Sequence, residues 1–172
     1  MYILACINRE NYIGKDGDLL YNIKDDIQGF KEITTDNVII MGRQTLESLP
    51  NGKPLPNRIN YVLSKTMRPT INDNLRVFSD VDKLLEDIEK NFKDKDVFCI
   101  GGSKIYELFM EKDIVDKLVL TEVDDNTKGD VKFPTIDLDK WDKVLVSEKL
   151  EDLKTGLKFT YTHYIKKEKE ND

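Results

Sequence analysis

The sequence has few of the residues that crosslink proteins or bind metal ions. Its 172 residues include two cysteines, Cys6 and Cys99, and one histidine, His163. Both cysteines lie in apolar runs typical of strands, where a reduced, buried thiol is the ordinary outcome. Zinc sites usually need three or four protein ligands at recognisable spacing, so a disulfide or a metal site has little support. His163 falls in an alternating segment and is expected on a strand surface.

Long apolar runs and an excess of positive charge are also missing. No apolar stretch approaches the roughly 20 residues of a membrane span, and the start MYILACIN lacks the basic region and long apolar core of a signal peptide. A cytoplasmic location is therefore expected. The 33 acidic and 27 basic residues give a formal net charge of -6. This charge argues against general binding of nucleic acid or of an anionic membrane, so local cations must meet any anionic ligand.

The length, the composition and the order of predicted elements fit one α/β domain. A chain of 172 residues, 39% of them hydrophobic, can bury a sizeable core and still form a ligand cleft. Strands alternating with helices predict a largely parallel sheet covered on both faces, which the last third of the chain completes by antiparallel pairing. The predicted strands are residues 2–7, 38–41, 59–63, 75–78, 97–100, 117–123, 143–148 and 157–165. The predicted helices start near Asn22, at Arg43, at Ser79 or Asp80, and after Gly102.

The first predicted helix carries an acid at the edge of its apolar face. It follows a glycine and aspartate loop, residues 14–18, that we expect to be flexible. Asp26 lies beside the apolar stripe, whereas Lys24 and Asp25 point more toward water. Asp26 is either a boundary charge that strengthens the first helical turn or a functional acid, because a carboxylate there is costly to bury unpaired. The apolar residues of this helix recur at spacings of four and three and are expected to form one continuous buried stripe. They are Ile23, Ile27, Phe30 and Ile33.

Three loops at the ends of predicted strands resemble anion sites. Exposed backbone N–H groups at a helix start, together with a nearby cation, suit a phosphate. Each loop alone is more often an ordinary helix cap or turn. Three of them at consecutive strand ends favour an elongated ligand with several phosphates, such as a dinucleotide, although the three spaced glycines of a Rossmann fold are absent. The loops are residues 42–45 (GRQT), 63–65 (LSK) and 101–104 (GGSK).

These segments are similar, in order and in residue type, to those of the dihydrofolate reductase family over about residues 1–165. The similar blocks are Ile13-Gly14, the acidic helix with Asp26, VIIMGRQTLES at 38–48, PLPNR at 54–58, IGGSKIY at 100–106, Thr121-Glu122, Gly129-Asp130, Phe133-Pro134 and Trp141. The resemblance implies one domain with an eight-stranded mixed sheet, mostly parallel with an antiparallel C-terminal strand, and about four helices. It also implies NADPH-dependent reduction of 7,8-dihydrofolate to tetrahydrofolate by a monomer. Residues 166–172 form a charged C-terminal tail.

The resemblance assigns roles on the substrate side. Asp26 would face the pterin, orient it and raise its basicity, with a water completing proton delivery. Arg58 would bind the substrate's α-carboxylate, and Thr121 would hydrogen-bond Asp26. Tyr21 joins Asp26 as a candidate catalytic residue because it stands where the family commonly has an active-site tryptophan. The expected substrate-binding residues are Leu4, Ala5, Cys6, Asp26, Phe30, Leu49, Arg58, Ile100 and Thr121.

The resemblance also assigns the NADPH site and implies no metal. A cis peptide is expected between Gly101 and Gly102, and the loop 11–18 is hypothesised to close over the nicotinamide. The expected cofactor-binding residues are Ala5, Cys6, Ile13, Gly14, Gly42, Arg43, Gln44, Thr45, Leu63, Ser64, Lys65, Gly101, Gly102, Ser103, Lys104 and Ile105.

The chain departs from the family pattern at a few positions. Leu20 and Tyr21 replace a common proline and tryptophan, Leu46 replaces a frequent aromatic, and Cys6 stands where a small residue is usual. Three alternatives stay open: a reductase of another pterin or of a ribosylaminopyrimidine, a non-catalytic structural protein of this fold, and an unrelated α/β domain. Asp26 together with Arg58 favours folate, since a carboxylated tail needs the arginine.

Overall fold

Alternating strands and helices build one large mixed sheet with helices against its faces. The computed structural model describes residues 1–72 and 74–168. Within that part, no helix is long and apolar enough to cross a membrane. The helices are α1 (Lys24–Thr34), α2 (Arg43–Ser48), α3 (Val81–Asn91) and α4 (Ser103–Glu111), with a 3-10 turn at Pro50–Gly52. The strands are β1 (Tyr2–Asn8), β2 (Tyr12–Lys15), β3 (Asp18–Leu19), β4 (Val38–Gly42), β5 (Ile59–Leu63), β6 (Thr70–Ile71), β7 (Leu75–Phe78), β8 (Val97–Gly101), β9 (Lys117–Val123), β10 (Val131–Lys132), β11 (Trp141–Leu145), β12 (Leu150–Glu151) and β13 (Lys158–Lys166).

The main sheet has ten strands in the order β11-β13-β9-β1-β8-β4-β5-β7-β6, with β12 paired to β13. The central strands from β9 to β7 are parallel, whereas β13, β11, β12 and β6 pair antiparallel. The predicted α/β domain with a mostly parallel mixed sheet and four helices is confirmed, and all eight predicted strands are present. The sheet differs from the expected one only in its number of strands, ten instead of eight. The two added strands, β6 and β12, have two residues each, which is too short to give a readable apolar pattern.

Several boundaries differ from those expected. α1 begins at Lys24 rather than near Asn22. β11 spans Trp141–Leu145 rather than 143–148. β13 continues to Lys166, one residue beyond the proposed domain limit of 165. The division into a domain of 1–165 and a tail of 166–172 stays a prediction, and residues 169–172 of that tail lie outside the described residues.

α1 and the residue that precedes it, Ile23, contact separate parts of the core. Ile23 is buried in a cluster with Val123 and Phe159, and the half-buried Phe30 packs on a second cluster that includes Leu4, Ile39 and Met41. Farther along the same stripe, Ile27 is 54% exposed and Ile33 is 39% exposed. The expectation of one continuous buried stripe is therefore wrong. Helical periodicity identifies which residues share a face, but it does not say how much of that face a neighbouring element covers.

Residues 14–18, which we expected to form a flexible glycine and aspartate loop, are part of a hairpin. β2 and β3 pair across Asp16-Gly17, which both have positive φ angles of 53° and 83°. Asp-Gly is the residue pair that a tight two-residue hairpin turn prefers, and this signal was present in the sequence. β10 then pairs with β2 to complete a small three-stranded sheet.

Candidate active site

The loops that carry the candidate residues meet at the carboxyl-terminal edge of the central parallel strands. β8, β4 and β5 are neighbours in the sheet, with Met41 opposite Gly101 and Gly42 opposite Leu63. The three predicted anion loops, 101–104, 42–45 and 63–65, follow these three strands directly. β1 lies on the other side of β8. The edge of the sheet therefore brings the three loops together beside the end of β1, as in open α/β sheets that bind ligands there.

Asp26 lies in the first turn of α1, close to the sheet. Its side chain is half-buried, whereas Lys24 and Asp25 are exposed, as expected from the helical wheel. Thr121 Oγ1, on β9, donates a hydrogen bond to Asp26 Oδ1. Burial raises the pKa of Asp26, while hydrogen bonds from Thr121 and Cys6 act to lower it. These contacts match a held, partly desolvated carboxyl better than a boundary charge that only reaches for solvent.

The backbone carbonyl of Leu4, an expected pocket residue, accepts a hydrogen bond inside the protein. Tyr106 Oη, on α4, donates a buried hydrogen bond of 2.7 Å to Leu4 O. A carbonyl oxygen has two lone pairs, so this contact leaves one for a further donor. Ala5, Cys6 and Ile100 are half-buried at neighbouring strand positions. Tyr106 was missed as a site residue because it looks like an apolar position of the α4 stripe.

Arg58 is tied to the far end of α1. Its Nε donates to Pro56 O at 2.9 Å, and its NH1 donates to Thr34 Oγ1 at 3.3 Å. Neither contact uses NH2. Burial lowers the pKa of Arg58, although a guanidinium keeps its proton in proteins. The half-buried Phe30 and Leu49 pack on the same apolar cluster, together with Leu55.

Tyr21 is fixed between the end of β1 and the loop that follows β9. Its hydroxyl donates to Asp125 Oδ2 at 2.5 Å and accepts from Asn8 Nδ2 at 3.1 Å. Burial and the hydrogen bond to Asp125 raise the pKa of Tyr21 to about 12. The phenol therefore stays protonated, and its one donor is used on Asp125. Nothing in the local sequence marked Asn8 or Asp125 as partners of this tyrosine.

Glycines let the two helix starts approach each other closely. Gly42 and Gly102 are the N-caps of α2 and α4, and neither helix start has a side-chain cap. A Cβ on Gly42 would lie 3.2 Å from Ile105 Cγ1. Gly101 has a φ of +115°, and a Cβ there would lie 3.0 Å from Tyr106 Oη. The peptide between Gly101 and Gly102 is cis, as the resemblance implied.

Cations and hydroxyls surround these helix starts. Arg43 donates from Nε to Glu47 at 2.8 Å and from NH1 to Thr66 at 2.9 Å. Ser64 is 9% exposed, and its Oγ accepts hydrogen bonds from the Thr66 and Met67 amides, so it shapes the turn after β5. Apart from Ile13 and Gly14, the remaining expected cofactor residues belong to the same three loops or follow them directly. Lys65, Lys104 and Gln44 are exposed, Ser103, Thr45, Ile105 and Leu63 are half-buried, and Ile13 and Gly14 are buried in β2.

A family model for dihydrofolate reductase matches residues 1–166 of the chain. The chain belongs to the dihydrofolate reductase family. The match includes the acidic helix, the two glycine turns and the C-terminal strands described above.

Named relatives support this membership. The chain is 34% identical over 165 residues to dihydrofolate reductase of Bacillus subtilis, with 95% of this chain and 93% of that protein covered. It is 30% identical over 166 residues to dihydrofolate reductase of Staphylococcus haemolyticus, with 94% and 93% covered. It is 35% identical over 160 residues to the bifunctional dihydrofolate reductase-thymidylate synthase of Paramecium tetraurelia. This match covers 90% of this chain but only 32% of that longer protein.

Proposed function

We propose that this chain reduces 7,8-dihydrofolate to 5,6,7,8-tetrahydrofolate with NADPH. Family membership supports the reaction. The observation that supports the placement of its chemistry is the half-buried Asp26 carboxyl, held by Thr121 at the edge of the sheet where the two glycine-capped helices begin. A partly desolvated acid beside a site built for phosphates suits a proton-coupled reduction that uses a dinucleotide.

The spacing of Asp26 and Arg58 favours a folate over a bare pterin. Arg58 is anchored on Thr34, which lies eight residues after Asp26 in α1. Eight residues of α-helix rise about 12 Å. A substrate whose ring meets Asp26 therefore needs an extended, apolar middle and an anionic end to reach Arg58. Phe30 and Leu49 offer apolar surface for that middle part, and a guanidinium suits the terminal carboxylate.

The residues present fit NADPH. Backbone N–H groups at the starts of α2 and α4 carry no side-chain caps, and the glycines at 42, 101 and 102 leave open the space that side chains would fill. Arg43, Lys65 and Lys104 supply positive charge in a chain whose net charge is -6. We assign the pyrophosphate to residues 101–105. The phosphates, including the ribose 2′-phosphate, would contact Arg43, Thr45, Ser64 and Lys65. NADPH would supply a hydride to the pterin.

Asp26 would orient the pterin and help to protonate it. An ionised carboxylate can accept two hydrogen bonds from the amidine-like edge of the ring, which fixes the ring and raises the basicity of its nitrogens. The hydrogen bond from Thr121 fixes the other side of the carboxyl. A water completes proton delivery. Tyr21 would border this water site, although its own hydroxyl proton is held by Asp125.

The loss of NADPH absorbance on mixing with dihydrofolate tests the reaction. We expect Asp26→Asn to lower turnover at neutral pH at least about a hundredfold, the usual scale for a general acid or base, without loss of NADPH affinity. Arg58→Leu should raise KM for dihydrofolate about tenfold to a hundredfold, and it should spare a pterin that lacks the carboxylated tail. Normal turnover by Asp26→Asn at neutral pH would remove the role assigned to that acid.

We also propose that the protein is a cytoplasmic monomer. Cys6 and Cys99 are both free thiols, which suits a reducing compartment. The edge strand β6 has only two residues, and the opposite edge strand β11 carries the charged Asp142 and Lys143. Short or charged edges disfavour pairing between sheets of two molecules. Sedimentation equilibrium at micromolar concentration tests this proposal, and a dimer mass would contradict it.

A further inference from the structure

Three protic side chains lie in a row across the sheet beneath Asp26. The parallel pairing of β1 with β9 places Cys6 opposite Thr121, and the antiparallel pairing of β9 with β13 places Tyr161 opposite the same Thr121. Residues that are opposite each other on adjacent strands point to the same face. The Thr121 hydroxyl reaches Asp26 on this face. The thiol of Cys6 therefore lies on the side of the sheet that carries the candidate acid.

Cys6 lies close enough to Asp26 for the two side chains to act on each other's pKa. Burial, and then the nearby Asp26 carboxyl, raise the pKa of the Cys6 thiol well above its ordinary value. The sulfur consequently keeps its proton and acts as the donor, while the carboxylate accepts. A thiol that stays protonated is a poor nucleophile. Hydrogen bonding therefore fits Cys6 better than covalent catalysis does.

We propose that Cys6 is a positioning residue, whose S–H group donates a second hydrogen bond to Asp26 and, with Thr121, sets the orientation and acidity of that carboxyl. A group held by one donor can rotate about the remaining bonds, whereas two donors on neighbouring strands fix its plane. The relevance of Cys6 to turnover rests on the proposed function. The proposed hydrogen bond does not depend on that function.

Other ionisable groups also face Asp26, and they set the background for any titration. Tyr161 lies on β13, and its pKa is raised by burial and then by the charges of Asp26 and Asp25. Asp25 is the neighbouring acid on α1 itself. No cation forms an ion pair with Asp26 among residues 1–72 and 74–168. The thiol and the Thr121 hydroxyl are therefore the donors that oppose the cost of burying this charge.

The direct test is to measure the pKa of Asp26 in the parent and in three variants, using ¹³C NMR of the side-chain carboxyl to monitor each titration. The Asp26 resonance is assigned by its loss in Asp26→Asn. We expect Cys6→Ala to raise the pKa of Asp26 by roughly half a unit to one unit, because a thiol is a weaker donor than a hydroxyl but still favours the charged form. Cys6→Ser should restore or lower the value. Cys99→Ala removes the other thiol, which lies on β8, and should leave the value unchanged.

A second measurement reads the thiol. In Cys99→Ala, Cys6 is the only cysteine, so its S–H infrared band can be followed alone, and adding Asp26→Ala should shift that band to higher frequency. An Asp26 pKa in Cys6→Ala that stays within about 0.2 units of the parent, or matches Cys99→Ala, overturns the proposal, as does an unmoved S–H band. If the parent reduces dihydrofolate, the limb of the pH–rate profile that reports the pKa of Asp26 should move to higher pH in Cys6→Ala. An inactive parent would refute the proposed function and leave the NMR result to decide the role of Cys6.

Discussion

The side chain of Asp130 accepts a hydrogen bond from the backbone N–H of Asp16, with 2.9 Å between Asp130 Oδ2 and the amide nitrogen. The contact joins the segment before β10 to the turn of the β2–β3 hairpin, 114 residues earlier in the chain. Asp130 N also donates to Gly14 O at 3.0 Å. The hairpin that we expect to cover the nicotinamide is therefore held in place by one side chain and a short backbone pairing.

Removing the Asp130 carboxylate should loosen this hairpin. Asp130→Ala deletes the acceptor for the Asp16 amide, and a net loss of about 1 kcal/mol would raise hydrogen exchange at that amide roughly fivefold. Amide exchange by NMR measures the effect, with and without NADPH. Asp18→Ala, an exposed aspartate on the same hairpin, is the matched control. Unchanged exchange at Asp16 in Asp130→Ala would contradict the anchoring role, and exchange that NADPH leaves unchanged in the parent would contradict closure.

We expect the ionised Asp26 carboxyl to lower the free energy of unfolding at neutral pH. Burial raises the pKa of Asp26 above its ordinary value of 3.8, so the folded state resists ionisation more than the unfolded state does. Below pH 3.8 the carboxyl is protonated in both states and the penalty is absent; as the pH rises through the raised pKa, the penalty appears. Asp26→Asn should thus become more stable than the parent as the pH rises toward 7, by roughly 1 kcal/mol.

Urea unfolding at pH 4 and pH 7 measures this difference. Asp25→Asn, in the same helical turn but exposed, is the control for the helix propensity of the substitution. A gain that is as large at pH 4 as at pH 7 would mean that the effect comes from helix propensity or packing instead of ionisation.

Arg43 should set the preference for NADPH over NADH. Its guanidinium is positioned by Glu47 and Thr66 next to the start of α2. Arg43→Ala should raise KM for NADPH about tenfold to a hundredfold, the scale of hydrogen bonds to a charged group, and leave KM for NADH nearly unchanged. Glu47→Gln keeps the arginine and should keep the preference. Equal losses for both cofactors in Arg43→Ala would place the arginine away from the 2′-phosphate.

Local patterns were enough to predict the framework of this fold. The apolar runs predicted eight of the ten strands of the main sheet, Asp80 caps α3 through the Asp82 and Lys83 amides as expected, and Asp26 was recognised from its place on a helical wheel. These features depend on residues within a few positions of each other. The position of three glycine-rich or basic loops at one edge then followed from the parallel order of the strands.

Contacts between distant residues could not be predicted in this way. Tyr106 and Leu4 are 102 residues apart, and Tyr21 and Asp125 are 104 apart, so no local period signals either hydrogen bond. The exposure of Ile27 has the same cause, because only the three-dimensional arrangement decides whether a neighbour covers an apolar face. The hairpin turn at Asp16-Gly17 is different, since its signal was local and the composition of the loop was given more weight than that residue pair.

Two glycines should respond in opposite ways to alanine. At Gly129 a Cβ would lie 2.3 Å from Gly14 O, an overlap with backbone that can be relieved only by separating β10 from β2. At Gly29, inside α1, a Cβ would meet nothing within 4 Å. Gly129→Ala should therefore lower the free energy of unfolding by about 1–3 kcal/mol, whereas Gly29→Ala should raise it by about 0.5–1 kcal/mol because alanine restricts the unfolded chain and favours the helix. Thermal and urea unfolding measure both variants. A stable Gly129→Ala with an unaltered Asp16 amide signal would show that the hairpin does not need this close approach.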